Sequence, residues 1–169
     1  MIRLYRQFIE AGTTLPVEVY LVELLWIQER IQREVRVISK RNVFEIHVAT
    51  EEGQLIGKMI RAQQGNQKRV PMEIPEAGKL LGAVSVSEIE EFVTVVGDKN
   101  PLHQGESAIV PGCMILDLVR KELPEARGIE IRFKAPVFAN QEIYLLPLGE
   151  RDYQLLAGDG VVVGIIRGA

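Results

Sequence analysis

The stretch that decides the fold begins Gly97-Asp98-Lys99-Asn100-Pro101-Leu102-His103 and leads, through Gln104 to Val110, into Pro111-Gly112-Cys113-Met114-Ile115-Leu116-Asp117-Leu118-Val119-Arg120-Lys121-Glu122-Leu123. Its second part predicts a helix. Pro111 suits a first turn, where the N–H that proline lacks would find no partner anyway. Pro124 stops the pattern. The first half of this helix is apolar nearly all round, so it should be buried. Upstream, Ser87-Glu88-Ile89-Glu90 reads as a capping box. Ile89, Phe92, Val93 and Val96 follow at the spacing of one buried helical face, and Gly97 is a natural C-cap. Between the two helices, Asp98 to Ala108 is polar, holds Pro101 and Gly105, and reads as a loop.

The remainder reads as strand. Ile2 to Ile9 and Val17 to Leu25 are apolar with β-branched and aromatic residues. Gln32 to Arg41 sets Val35, Val37 and Ile38 among charges. Phe44 to Val48 alternates with period two. Glu51-Glu52-Gly53 reads as a hairpin turn into a strand from Gln54 to Arg61. Further strands are expected at Ile129–Phe133, Glu142–Leu146, Tyr153–Leu156 and Val161–Ile166. The organisation is therefore a strand-rich half over residues 1–62, a polar connector over 63–83 that contains Pro71 and Pro75, and a second half over 84–169. Three echoes in the same order point to duplication: Ile2-Arg3-Leu4 with Ile129-Glu130-Ile131, Glu18-Val19-Tyr20-Leu21 with Glu142-Ile143-Tyr144-Leu145, and Gly53 to Gly57 with Gly160 to Gly164.

At 169 residues the chain is one domain or one duplicated unit. Hydrophobic residues make up 47% and charged residues 25%, enough for a real core. A net charge of −3 argues against a basic nucleic-acid binder and a polybasic membrane-surface protein. No apolar run approaches the about 20 residues that span a bilayer. Met1-Ile2-Arg3-Leu4-Tyr5-Arg6 has no apolar core behind it, so no signal peptide is expected. A single cysteine, Cys113, excludes an intramolecular disulfide and a Cys-based zinc cluster. With only His47 and His103, a His-rich metal site is not expected either. The default compartment is the cytoplasm.

The chemistry concentrates in the loop. Asp98 and His103 lie five residues apart on a segment stiffened by Pro101 and held between two helices, the setting in which catalytic groups are commonly placed. A carboxylate and an imidazole that share one water form a general acid/base pair. Gly112 starts the buried helix, where exposed amides and the positive dipole end favour a developing negative charge. Such a combination suits a reaction through an enolate-like thioester oxyanion. The plainer readings are a turn-forming Asp98, a packed His103 and a solvated charge face at Asp117 and Lys121. Cys113 stands near a helix N-terminus, but its apolar neighbours favour a packed side chain over a reactive thiol. His47 reads as structural, Met114 and Trp26 as core, and Lys40 and Arg41 as a solvated turn rather than a phosphate contact.

Residues Phe92 to His103 resemble the hydratase motif of the MaoC-like (R)-specific enoyl-CoA hydratases, and Ile129 to Phe138 resembles the strand after that family's central helix. The resemblance covers Val84 to Ala169. It implies an α+β hot-dog fold, an antiparallel sheet wrapped around a buried helix, and reversible hydration of trans-2-enoyl thioesters to (3R)-hydroxyacyl thioesters. It also implies that Asp98 and His103 are the catalytic pair, that the Gly112 amide holds the thioester carbonyl, and that Asn100 fixes the loop. The stretch from His103 to Gly112 is shorter than is usual there. His103, Ile109 to Cys113 and Asp117 are instead similar in spacing to the β-hydroxydecanoyl-ACP dehydratases, in which an acid on the helix partners the histidine. Asp98 and Asp117 are thus both candidate partners, and Asn100, Pro101, Gly112 and Cys113 are the candidate substrate-binding positions.

The first half is expected to be a degenerate hot-dog unit without a helix. The expected function is hydration or dehydration of acyl-CoA or acyl-ACP thioesters in fatty acid metabolism. No metal or organic cofactor is expected, and the assembly expected is an internal pseudo-dimer or a homodimer. Two other readings stand beside it: a non-catalytic acyl-thioester-binding hot-dog subunit, and a hot-dog thioesterase in which Asp117 activates water.

Overall fold

The computed structural model describes residues 1–13, 15, 19–29, 33–61, 71 and 73–168. The connector positions 63–70 and 72, and Val17, Glu18 and Gln32 at the ends of two expected strands, lie outside the described residues. The first half runs α1 (Ile2–Gly12), β1 (Val19–Ile27), β2 (Glu34–Lys40), β3 (Val43–Thr50) and β4 (Gly53–Arg61). Then come β5 (Lys79–Ala83), α2 (Val86–Val96), a 3-10 turn (Pro101–His103), α3 (Gly112–Glu122), β6 (Gly128–Phe133), β7 (Glu142–Pro147), β8 (Asp152–Ala157) and β9 (Val162–Gly168). Among the described residues no helix is long and apolar enough to cross a membrane.

The strands form one nine-stranded sheet in the order β2-β3-β4-β1-β6-β9-β8-β7-β5. Every neighbouring pair is antiparallel. Period-two alternation gives the sheet one apolar face and one polar face. Leu24 and Trp26 of β1, Phe44, Ile46 and Val48 of β3, Leu55 and Met59 of β4, and Ile129 and Ile131 of β6 are buried under the helices. On the opposite face Glu23 of β1 lies 3.6 Å from Lys58 of β4 and 3.7 Å from Arg132 of β6. Partly exposed pairs of this kind contribute little to stability, about 0–1 kcal/mol each; burial on the helix side holds the sheet in register.

Strand β1 is the joint. It pairs with β4 on one edge and with β6 on the other. On either side of the joint the same order repeats: a helix, then the central strand, then strands that lead outward. β4 lies beside β1 as β9 lies beside β6. The echo between Gly53–Gly57 and Gly160–Gly164 therefore links equivalent strands. The other two echoes do not: one equates α1 with β6, the other β1 with β7.

Two expectations about the first half are overturned. Ile2 to Ile9 is helix, not strand, and the first half is not without a helix. Leu4, Tyr5 and Phe8 are the buried residues of α1. A helix lays positions i, i+1 and i+4 on one side, whereas a strand would send Leu4 and Tyr5 to opposite faces. α1 packs on β2, β3, β4 and α2. Its N-terminus is capped from the β3–β4 turn, where Glu52 Oε2 accepts the Leu4 N–H at 2.9 Å. Glu51-Glu52-Gly53 is indeed that turn, and its glycine adopts φ 127°.

The capping box lies one frame earlier than expected. Ser85, not Ser87, is the N-cap, and Ser85 and Glu88 bond each other reciprocally. Both frames have the required spacing. The earlier one also places Val84 and Ile89, both buried, at the two positions of a hydrophobic staple. The later frame would put the acidic Glu91 there. Strand β5 falls inside the expected connector; it pairs with β7 around a bulge between Leu80 and Gly82.

One close approach fixes the seat of α1. A β-carbon at Gly57 would stand 2.2 Å from Phe8 Cζ and 3.3 Å from Leu21 Cδ1. Gly57→Ala should therefore destabilise the chain by about 1–3 kcal/mol through overpacking, read as a lower urea midpoint; Phe8→Leu in the same background should recover part of the loss. Bonds from the Ser85 hydroxyl and then the Ser85 N–H hold the Glu88 carboxyl below the usual range. A lowered carboxylate contributes stability at neutral pH that disappears as pH falls through its folded value. The difference in melting temperature between wild type and Glu88→Gln should accordingly shrink toward zero in acid.

Candidate active site

The loop after α2 is assembled by short-range bonds that the sequence prescribes. Gly97 ends α2 with φ 79°, in the left-handed region. The N–H groups of Gly97 and Asp98 both donate to Val93 O, at 2.9 and 2.8 Å. Asp98 Oδ1 accepts the Asn100 N–H at 2.9 Å, an Asx-turn. Asn100 Oδ1 in turn accepts the Leu102 N–H at 3.1 Å and starts the 3-10 turn, with Pro101 at its first position. The far side of the loop is tied to the segment before β7. Val110 N–H donates to Val137 O and Ala139 N–H to Ala108 O, both at 2.8 Å.

Into this frame the structure brings Asp98 and His103 together. His103 Nε2 stands 3.7 Å from Asp98 Oδ2, and the two side chains are only 14% and 9% exposed. The turn-forming role of Asp98 is real, but it uses Oδ1; Oδ2 is left to face the imidazole. His103 Nδ1 lies 2.7 Å from Ile109 O. A carbonyl oxygen only accepts, so Nδ1 carries the proton and, in the neutral ring, Nε2 presents its lone pair to the carboxylate. A separation of 3.7 Å is too long for a direct hydrogen bond. It is the spacing at which two acceptors can share one water, which has a hydrogen for each, with that oxygen about 2.8 Å from each.

The segment that anchors His103 leads into the N-terminus of α3. Ile109, which anchors His103, is three residues before Gly112. The amides of Met114 and Ile115 fold back to Pro111 O. Those of Gly112 and Cys113 come before any intrahelical acceptor. Gly112 allows a close approach: a β-carbon there would stand 2.5 Å from Leu21 Cδ2 and 3.1 Å from Phe133 Cζ. Cys113 is buried, and its thiol is pushed well above the ordinary range by that burial, then by the negative fields of Asp117 and Asp98. It is a packed side chain and not a nucleophile.

Asp117 faces a different partner. Tyr5 Oη donates to Asp117 Oδ1 at 2.6 Å, and Arg120 Nη1 is 3.5 Å from the same oxygen. The Arg120 guanidinium lies over the Trp26 ring, 4.1 Å from its centroid. Tyr5 is fully buried, and burial first, then the Asp117 charge, pushes its hydroxyl far above the ordinary tyrosine range, so it stays a donor. Sequence reasoning does not reach Tyr5; its partner is 112 positions away, and no local signal marks it. Elsewhere, His47 projects from the polar face of β3 with Glu45 at 3.5 Å, Trp26 is core, Met114 is partly buried against the core, and Lys40 and Arg41 lie at the exposed β2–β3 turn.

No protein-family model and no curated protein sequence matches the chain. Solved structures do. HtdX from Mycobacterium tuberculosis superposes with a TM-score of 0.67 at 15% identity, covering 99% of this chain and 86% of that one. A MaoC-like dehydratase from Phytophthora capsici superposes at 0.57 and 15% identity, over 92% of this chain and 70% of that one. Acyl-CoA thioesterase II TesB2 from Mycobacterium marinum does so at 0.50 and 11% identity, over 98% and 88%. At these identities the likeness establishes the fold: the chain has the α+β hot-dog fold, shared with MaoC-like dehydratases and with thioesterases.

The geometry separates the two acids experimentally. Tyr5→Phe removes a hydrogen bond to a charged group and should lower stability by about 1.5–3 kcal/mol in urea titration. Asp117→Asn should cost less, because an amide oxygen still accepts from Tyr5.

Proposed function

We propose that this chain hydrates trans-2-enoyl thioesters to (3R)-hydroxyacyl thioesters and catalyses the reverse dehydration. The observation that carries the reading is the enclosed Asp98–His103 pair, in which an imidazole lone pair and a carboxylate oxygen face each other at 3.7 Å. In the dehydration direction, His103 Nε2 takes the C2 proton of the substrate. The electron pair of that C–H bond moves onto the thioester as an enolate, and the Gly112 amide at the start of α3 donates to its oxygen. The enolate then expels the C3 hydroxyl, which leaves as water on receiving a proton relayed from the imidazolium through Asp98. Hydration runs the same steps backwards: Asp98 accepts a proton from water as its oxygen attacks C3, and His103 protonates C2. The pair ends each cycle as it began, so no cofactor enters; CoA or an acyl carrier protein belongs to the substrate. Asn100 and Pro101 hold the loop, and Cys113 packs behind it. With one cysteine and this substrate class, the reading places the chain in the fatty acid metabolism of a reducing compartment such as the cytoplasm.

The thioesterase reading, with Asp117 as base, is supported by the TesB2 likeness. Against it, the Asp117 carboxylate is held by Tyr5 and Arg120. The non-catalytic reading draws on a helix-free first half, and that half carries α1.

Turnover of trans-2-butenoyl-CoA and trans-2-octenoyl-CoA decides between them. His103→Ala and Asp98→Asn should each lose about 10²-fold or more in kcat/KM, while Asp117→Asn stays near wild type. Release of free CoA thiol from butyryl-CoA, abolished by Asp117→Asn and not by His103→Ala, would establish the thioesterase instead. Wild-type rates in His103→Ala would end the proposal.

A further inference from the structure

The two ends of the sheet are finished differently. In the second half the outward edge of β7 is covered by β5. β2 holds the equivalent place in the first half, and among the described residues no strand pairs with its outward edge. Its residues 35, 37 and 39 oppose Val48, Ile46 and Phe44 of β3, so they lie on the helix side of the sheet. There Val35 and Val37 remain 47% and 43% exposed. An open edge with apolar residues on the core side and no inward-pointing charge is a template for another strand.

We infer that this edge pairs with the β2 edge of a second copy of the chain, antiparallel and centred on Val37, to give a two-fold dimer with one continuous sheet. The register follows from two constraints and from the length of β2, whose midpoint is Val37, so that only this centre pairs all seven of its residues. A two-fold axis perpendicular to a sheet sets residues of the same face opposite each other, so it must pass through a residue and not between two. Centred on Arg36, the ladder would set Arg36 against its own copy; centred on Ile38, it would set Arg36 against Lys40. Like charges directly opposite are destabilising. Centred on Val37, it sets Glu34 opposite Lys40 at both ends, Val37 opposite Val37, and Val35 opposite Ser39. Glu34 already holds Arg36 within its own strand. Lys40 has no ion-pair partner among the described residues and would gain one. The ladder stops there, because Arg33 would next meet Arg41.

Two experiments on the full chain test the pairing. In sedimentation equilibrium the wild type should show a concentration-dependent dimer. Glu34→Lys or Lys40→Glu alone should weaken it about tenfold, since each reverses two symmetric pairs, and the double variant should restore it. In the second, Val37→Cys should form a covalent dimer under mild oxidation, since directly opposed residues of an antiparallel pair sit about 4.5–5.5 Å apart at Cα, within disulfide reach. Val35→Cys should not, and the buried Cys113 should stay inert in both variants. A wild-type monomer at all concentrations, a dimer indifferent to the charge reversals, or cross-linking of the Val35→Cys variant but not of Val37→Cys would each overturn the inference.

Discussion

The imidazole of His103 is suspended between two fixed points, and the candidate site follows from how they are fixed. The Ile109 carbonyl accepts a hydrogen bond from Nδ1–H at 2.7 Å and so decides which nitrogen keeps its lone pair. The carboxylate that faces the other nitrogen is held in turn, because Asp98 spends Oδ1 on the Asn100 N–H. Neither side chain can rotate away without giving up a bond to backbone in a poorly hydrated place, where an unmade hydrogen bond costs about 1–3 kcal/mol. Preorganisation of this kind keeps the two groups facing each other without rearrangement.

The wider fold exists to hold that loop still. α2, packed on α1, delivers it from a capped and stapled N-terminus, and α3 receives it and lies on a sheet whose two halves meet along β1 and β6. The first half contributes a helix that ties into the second. α1 docks over Gly57 through Phe8, meets α2 through the Tyr5 and Phe92 rings 6.0 Å apart, and reaches α3 through the Tyr5–Asp117 bond. Asp117 thereby becomes the tie between the two helical layers, while the other acid in reach of the α3 N-terminus does the facing of His103. One carboxylate is bonded to Tyr5 and the other faces His103, and their hydrogen-bond partners make the difference.

Much of this is legible in the sequence, and the failures have physical causes. Phe44 to Val48 announces its strand because strict alternation on a half-buried sheet has no other reading. The Asp98–His103 loop is legible because its bonds are local: an Asx-turn, a proline and a left-handed glycine all act within a few residues. α1 reads wrongly as a strand because Ile2-Arg3-Leu4 alternates as a strand does, and only the Leu4–Tyr5–Phe8 spacing, completed by a sheet to pack on, selects the helix. The capping frame is ambiguous by two residues because two serines offer the same box, and burial of Val84 and Ile89 breaks the tie. The assignment of Asp117 to Tyr5 is beyond sequence reading altogether, since it depends on two helices from opposite halves meeting.

The central claim is a statement about one proton, and it can be read directly. The chain has two histidines, His47 and His103, so nitrogen-15 NMR of the imidazoles has only two rings to assign, and His103→Gln removes one set. In the neutral form His103 should show a protonated Nδ1, in slow exchange under the Ile109 carbonyl, and a bare Nε2 that shifts when Asp98→Asn is introduced. A protonated Nε2 in the neutral ring, or an Nε2 signal indifferent to Asp98, would contradict the account.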